Sequence, residues 1–387
     1  MPVKPVVLHL IDNFEPGGAQ NILAGIARHC AAGFRHEVAV LNGARASYQA
    51  ALPEGCPVHL FRFGPARFLP EGRRLRRLIG TLDPHIVCFH LELSYLAFLL
   101  LKPWLRNKPA ILAIHALPDQ IPRFWFPLLA RIQRWVAAYT VEDRIAFRAL
   151  ADRGVPVEKI RLIPIGTEIF EATGESPESA HARRWGGART SPGGPCFLNI
   201  GRMVEGKGQA LLLQAFQAYR AKGGRGRLCI LGYGPLESRL KDMAHRLGLD
   251  DHVEFPGKTR ELVPYYLAAD VYVSAAVDEG MGVVIYEAMA LGLPIAAFAA
   301  GSIAEIVEDG ANGRLAAIGD TGSLAAAMLE LSAGGHAQEK ISRTNARKIF
   351  DNYRNSRIAE KYSGLYRALA QSGVAPSGAP GNSGAGR

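Results

Sequence analysis

Residues 270–315 read DVYVSAAVDEGMGVVIYEAMALGLPIAAFAAGSIAEIVEDGANGRL. The apolar run DVYVSAAV predicts a buried parallel strand. It leads into Asp278, Glu279 and the glycine turn Gly280, Met281, Gly282. A helix follows over Val283–Leu291, stopped by Gly292 and Pro294, and then a second apolar strand, PIAAFA. Strand, turn, helix and strand make half of a doubly wound α/β unit. In such units ligands bind at the carboxyl ends of the strands, where helix N-termini point. Two carboxylates, Glu279 and Glu287, bracket the turn.

On a single helix a separation of eight sets two residues about 80° apart in azimuth, so the two acids would share no strict face. With Glu279 on the loop and Glu287 near the second turn, both can point into one cleft. The free N–H groups of Gly282, Val283 and Val284 open toward that cleft, and a helix N-terminus favours a phosphate. A carboxylate near a phosphate suits hydroxyl groups instead, as on a ribose or a sugar ring. The stretch therefore proposes a sugar nucleotide. Spacing alone leaves equally open a solvated loop acid at 279 and a surface helix acid at 287.

The segment resembles the signature of family 4 glycosyltransferases, E-x7-E followed by A-M-A-x-G-x-P and a Gly-rich, acid-containing turn. Glu279, Glu287, Ala288-Met289-Ala290, Gly292, Pro294 and Gly301-Ser302-Ile303-Ala304-Glu305 carry it. The resemblance implies an α/β fold of GT-B class: two Rossmann-like domains facing across a cleft, with a C-terminal helix returning to the first. It also implies hexosyl transfer from a nucleotide sugar with retention, and neither metal nor cofactor.

The chain has 387 residues, room for two sizeable cores. Its formal charge is +10, and the excess is uneven: 21 Lys+Arg against 12 Asp+Glu over residues 1–165, and 24 against 23 over the remainder. A nucleic acid, an anionic membrane or a phosphate-bearing acceptor would each explain basicity in the first half. The resemblance implies a glycan or lipid-linked acceptor, the charge split suits peripheral contact with an anionic membrane, and no nucleic-acid partner is expected. Cys30, Cys56, Cys88, Cys196 and Cys229 form no C-x-x-C pair and mostly lie in or beside apolar runs. Buried free thiols in a reducing, cytoplasmic compartment are expected. VVLHLI is a strand-length run rather than a signal core. No run of about twenty apolar residues predicts a membrane span.

Along the chain, VVLHLIDNF predicts the first strand and PGGAQ the start of a helix. Gly17 and Gly18 would let the backbone approach a ligand, though a plain strand-to-helix turn reads the same way. In family 4 a similar loop reaches the donor diphosphate, with an acid where this chain has Gln20. HEVAVLN, VHLFRF, HIVCFH, AILAIH, AYTVE and IRLIPIG predict further strands of a parallel sheet. His90 and His115 end two of them. The resemblance turns His115 toward the donor sugar, and His90 would line the acceptor side. Arg73, Arg74, Arg76 and Arg77, and later Arg123, Arg131 and Arg134 among Phe124, Trp125, Phe126 and Trp135, suit a membrane interface. A core-packing helix with a solvated basic face fits them equally.

PIGTEIF (164–170) resembles the element that closes the family's first domain. Residues 171–195 predict a linker. CFLNIGRMVEGKG then delivers Gly201, Arg202 and Lys207 to a strand end, resembling G-R-x-x-x-x-K-G. By that resemblance, Arg202 and Lys207 clamp the diphosphate. Gly232-Tyr233-Gly234 tempts a nicotinamide assignment, but Glu237 occupies the place of the third glycine. The segment instead resembles the family's G-x-G-P element, after which Gly257 and Lys258 meet the base. Glu287 would hold the ribose and Glu279 the donor sugar. The Gly280–Val284 backbone, with Met281, would lie around them. The expected plan is a first domain over 1–170, a linker over 171–195, a nucleotide-sugar domain over 196–355, a crossover helix over 356–372 and a disordered tail over 373–387. A sugar-nucleotide epimerase, a phosphorylase and a catalytically silent nucleotide-sugar binder stay open as alternatives.

Overall fold

The computed structural model describes residues 4–105, 108–115, 125–185, 193–259, 261–280 and 282–371. The chain divides into two compact units, Met1–Pro164 with Ile358–Arg387, and Ile165–Arg357.

In the first unit the strands are β1 (Val6–Ile11), β2 (Arg35–Val40), β3 (Val58–Leu60), β4 (Ile86–His90), β5 (Ala110–Ile114), β6 (Ala138–Val141) and β7 (Ile160–Leu162). All pair in parallel, in the order β3-β2-β1-β4-β5-β6-β7. β1, β4 and β5 are buried along their whole length. That explains their near-continuous apolar runs, because both faces of a parallel sheet are covered. Leu8, Leu10, Val87, Phe89 and Leu112 pack with Leu75 and Phe98 on one face. Ile11, Val38 and Val40 pack on the other with Leu23 and Ala27 of the helix Gly18–His29. The last helix, Asn355–Gln371, closes this second face. Its Tyr366 meets Phe34 edge-on at 5.4 Å, and Cys30 Sγ donates to Ala359 O at 3.3 Å.

The second unit holds β8 (Cys196–Ile200), β9 (Arg227–Leu231), β10 (Val253–Gly257), β11 (Val271–Ser274), β12 (Ile295–Phe298) and β13 (Gly313–Ala316). These too are parallel, in the order β10-β9-β8-β11-β12-β13. Both sheets therefore run third, second, first, fourth. Chain direction across the sheet reverses between β1 and β4 in one and between β8 and β11 in the other. A doubly wound sheet binds ligands at this switch point.

The expected linker is a correction. Residues 171–195 contain the end of the helix Ile169–Thr173 and the helix Pro177–Trp185, and the units divide at Pro164 rather than after 170. The crossing at 165–170 is tied to the second unit by Thr167 N to Tyr353 O at 2.8 Å and Asn355 N to Thr167 O at 3.0 Å. Phe170 packs edge-on against Phe350 at 5.2 Å. The polar helix Pro177–Trp185 presents too little apolar periodicity to be recognised. The expected tail over 373–387 lies outside the described residues.

Candidate functional site

The carboxyl edge of the second sheet is laced together by loop backbone. Gly232 N donates to Gly257 O at 3.0 Å, Gly201 N to Leu231 O at 3.0 Å and Met203 N to Tyr233 O at 2.9 Å. Val277 N and Asp278 N both donate to Gly206 O, at 3.0 and 3.2 Å, so the loops after β8 and β11 meet across the switch point. Two glycines permit this approach. A Cβ on Gly208 (φ +64°) would fall 1.8 Å from Ala275 O, and one on Gly301 (φ +49°) would fall 1.9 Å from Glu279 O. Only glycine tolerates both the backbone conformation and the contact.

The lacing brings Lys207 to Glu279. Lys207 Nζ donates to Oε1 at 2.7 Å and Oε2 at 2.8 Å of Glu279, whose side chain is 9% exposed. Arg202, from the same loop, is exposed and has no side-chain partner among the described residues. Lys258 Nζ sits 4.7 Å over the ring of Tyr233, at the edge formed by Gly257 and the loop after β9. Gly280 ends the acidic loop, and Gly282 caps the helix Val283–Ala290. Val283 and Val284 are half-buried in its first turn. Met281 lies outside the described residues.

Glu287 is half-buried one turn further on, and Tyr266 Oη donates to its Oε2 at 2.7 Å. Burial raises the Glu287 carboxyl above its ordinary range, and the tyrosine hydrogen bond opposes that rise. The tie to Tyr266 was not legible in the sequence: the two residues are twenty-one apart and on different helices.

The first unit presents its own edge. Gly17 caps the helix that Gly18 begins, in extended backbone. Gln20 turns back, its Nε2 donating to Asn13 O and Asn13 Oδ1, both at 3.1 Å. The departure at Gln20 thus holds the loop itself. Asp12, at the end of β1, accepts from Leu93 N and Ser94 N at 2.8 Å each and caps the helix Glu92–Leu105. Burial pushes its carboxyl up to about 6 against those two bonds. The His115 ring does not offer a nitrogen to a ligand. Its Nδ1 lies 2.5 Å from Glu142 Oε1 and its Nε2 lies 2.8 Å from His90 Nδ1, with the side chain 2% exposed. His90 is buried as well. Glu142, missed in the sequence, is the acid of AYTVE, directly after β6.

Among the described residues no group of three His, Cys, Asp or Glu could hold a metal ion, and no helix is long and apolar enough to cross a membrane. The five cysteines are free thiols.

Cations and buried acids at the switch point of a doubly wound sheet suit a ligand bearing both phosphate and hydroxyl groups. The comparisons narrow the class. Residues 188–348 match the family of Glycosyl transferases group 1, and residues 16–169 match Glycosyltransferase Family 4. The amylovoran biosynthesis glycosyltransferase AmsK of Erwinia amylovora is 33% identical over half of this chain and 46% of its own length. A GDP-mannose-dependent alpha-(1-6)-phosphatidylinositol monomannoside mannosyltransferase of Mycolicibacterium smegmatis is 27% identical over 94% of this chain and 99% of its own. Among solved structures, Anabaena HepE in complex with UDP and glucose superposes with a TM-score of 0.77 at 20% identity, covering 94% of this chain and 99% of that one. The chain is a glycosyltransferase and belongs to the GT-B enzymes of family 4 type.

Proposed function

We propose that the enzyme transfers a hexosyl group, with retention, from a UDP- or GDP-sugar to an acceptor hydroxyl in the building of a cell-surface polysaccharide or lipopolysaccharide. The observation that carries the reading is the second switch point, where Lys207 and Glu279 are joined and Arg202 is left exposed. Arg202 and Lys207 neutralise the charge that grows on the departing diphosphate. Glu287 accepts from the ribose hydroxyls, and Glu279 holds the donor sugar. The backbone of Gly280–Val284 surrounds the donor, and Gly201, Gly257 and Lys258 border its phosphate and base. Gly17, Gly18 and His115 serve the first unit's edge. The departing phosphate takes the acceptor proton, and no metal is required. Relatives named for amylovoran and for GDP-mannose-dependent lipid mannosylation support both the donor and the acceptor class.

We also propose that the first unit meets its acceptor at an anionic membrane on the cytoplasmic side. On the helix Phe68–Leu82, Leu75 and Ile79 face inward, while Arg73, Arg74, Arg76 and Arg77 are exposed. Trp104, 44% exposed, lies under Arg76, and Trp135 lies under Arg134. Arg74 is partly committed, donating to Leu60 O at 2.8 Å. The side chains of Trp125 and Phe126, and residues 116–124, lie outside the described residues.

A thermal-shift panel of UDP-, GDP- and ADP-sugars tests the donor class. A ligand at a hundredfold over its Kd raises stability by about 2.7 kcal/mol. No shift with any of them removes the nucleotide-sugar reading.

A further inference from the structure

Four histidines stand in one file across the first sheet, one on each of β2, β1 and β4 and one directly after β5. His36 Nδ1 lies 2.9 Å from His9 Nε2. His9 Nδ1 lies 3.0 Å from His90 Nε2. His90 Nδ1 lies 2.8 Å from His115 Nε2, and His115 Nδ1 lies 2.5 Å from Glu142 Oε1. Register explains the alignment. His36 pairs with Val7, His9 with Cys88 and His90 with Ala113. Each histidine therefore sits two residues further along than its neighbour. A step of two keeps the side chain on the same face, and the strand spacing of about 4.8 Å sets adjacent rings in hydrogen-bond reach. Ring centroids are 5.2, 5.3 and 5.1 Å apart along the file. The diagonal starts near the amino end of β2 and finishes at the carboxyl edge, where Glu142 follows β6.

The two ends differ. His36 lines an open pocket of about 320 Å³ with Lys4, Phe34, Arg35, Glu54 and Cys56. Its Nε2 is buried and has no hydrogen-bond partner among the described residues. The other end is a buried carboxyl that burial holds above its ordinary range.

We infer that this file is a proton path, with its port at the His36 pocket and its delivery point at Glu142, on the edge read above as part of the site. A neutral imidazole has one donor and one acceptor nitrogen, so the file has two polarities. With Glu142 ionised, every histidine carries its hydrogen on Nδ1, and His36 Nε2 is a bare lone pair. A proton added there displaces each Nδ1 hydrogen onto the next Nε2, and the last passes from His115 Nδ1 to the carboxylate. The result is four Nε2–H imidazoles and a neutral Glu142. One proton has been taken up and no ring is left charged. The reverse sequence returns it. At the carboxyl edge this sets whether Glu142 donates or accepts toward a bound hydroxyl.

The groups facing the file do not compete for that proton. Cys88, on β4, is pushed up to about 12 by burial, and Cys56 to about 11. Burial also raises Cys30, at the end of the helix Gly18–His29, and Tyr362 and Tyr366 on the terminal helix. Asp143, beside Glu142, is raised by burial and accepts from Ala146 N. Glu37 points to the opposite face, paired with Arg35 and His59. Burial holds His9, His36 and His90 below their ordinary value, which keeps the rings neutral.

Imidazole 15N spectra of the full chain test the path without any substrate. The expected result is a shared Nδ1–H tautomer at His9, His36 and His90 that converts to Nε2–H in one acid transition. Glu142→Gln, which cannot ionise, removes that transition at His36, four strand positions away across the sheet. Mixed tautomers in the wild type, or a His36 transition unchanged by Glu142→Gln, would overturn the path. A second arm tests its use. The kcat–pH profile of sugar transfer is expected to show a limb at the same midpoint, lost in His36→Gln with donor KM unchanged. Coincident profiles for wild type and His36→Gln would overturn the service to the site. This use rests on the transferase site reading. If no nucleotide sugar is turned over, that reading fails, while the spectra still decide the path.

Discussion

Lys207 places its Nζ 2.7 and 2.8 Å from the two carboxylate oxygens of Glu279, so the cation assigned to the diphosphate is held by a buried acid. The pair is unequal: the lysine side chain is 31% exposed and the acid 9%. Removing the lysine strands a buried charge, whereas removing the acid leaves a cation that water can reach. Lys207→Ala is therefore expected to cost about 1–2 kcal/mol of stability, discounted for the lysine's exposure, and Glu279→Ala less. Urea midpoints of both single variants and the double variant check this. Equal losses in the two single variants would contradict the asymmetry, and full additivity in the double variant would mean the contact carries no energy.

The Tyr266–Glu287 bond gives a second expectation. If Glu287 accepts from ribose hydroxyls, Glu287→Ala weakens a nucleoside diphosphate by about 1.5–3 kcal/mol, the range for a hydrogen bond to a charged group. Binding of inorganic pyrophosphate should not change. Tyr266→Phe frees a lone pair on Glu287 while removing a donor, and its effect on nucleotide binding should be smaller. Calorimetric titration of the two ligands separates ribose from phosphate recognition. Equal weakening of pyrophosphate would move Glu287 off the ribose.

Asp12 supplies a pH test. Its carboxyl is raised from 3.8 to about 6 by burial. Between those values the folded chain keeps a proton that the unfolded chain has released. This contribution to stability is therefore full below the lower value and is lost as pH climbs through the upper one. Its size is about 3 kcal/mol, and Asp12→Asn should abolish it. His36, lowered to about 4, acts with the opposite sign, destabilising as pH falls below its ordinary value of 6.5. The variant should thus lose stability on acidification more steeply than the wild type. Parallel stability–pH curves would contradict the assignment.

Membrane docking is expected to depend on charge. A basic residue near an anionic surface contributes about 1 kcal/mol, so Arg73, Arg74, Arg76 and Arg77 together could hold the protein there reversibly. Flotation with vesicles should require anionic lipid, weaken as salt rises and weaken again when all four become Ser. Equal behaviour on neutral and anionic vesicles would place the acceptor in solution.

The fold was legible where one physical cause dominated. The central strands of both sheets showed as apolar runs because both of their faces are covered, and the glycine turn ahead of Val283 marked a helix start. The placing of Arg202 and Lys207 after β8 and of Glu279 after β11 followed from the order of their motifs, since each comes directly after an apolar strand. What stayed hidden depends on contacts between distant segments. Nothing in 177–185 announces a helix, because its face is polar. The tie between Glu279 and Lys207 needs two loops to meet at Gly206. The histidine file needs the register of neighbouring strands, and a lone histidine in an apolar run carries no register. His115 was expected to face a sugar, yet strand pairing commits both of its nitrogens within the first sheet.

The central claim is that Arg202 and Lys207, at the β8/β11 switch point, stabilise the departing diphosphate without a metal. Single-turnover release of nucleoside diphosphate in EDTA, for the wild type, Arg202→Ala and Lys207→Ala, tests it most directly. The wild type is expected to turn over fully in EDTA. Each variant should slow by about a hundredfold, near 3 kcal/mol, with nucleoside affinity little changed. Unchanged rates in both variants, or wild-type activity abolished by EDTA and restored by magnesium or manganese, would contradict it.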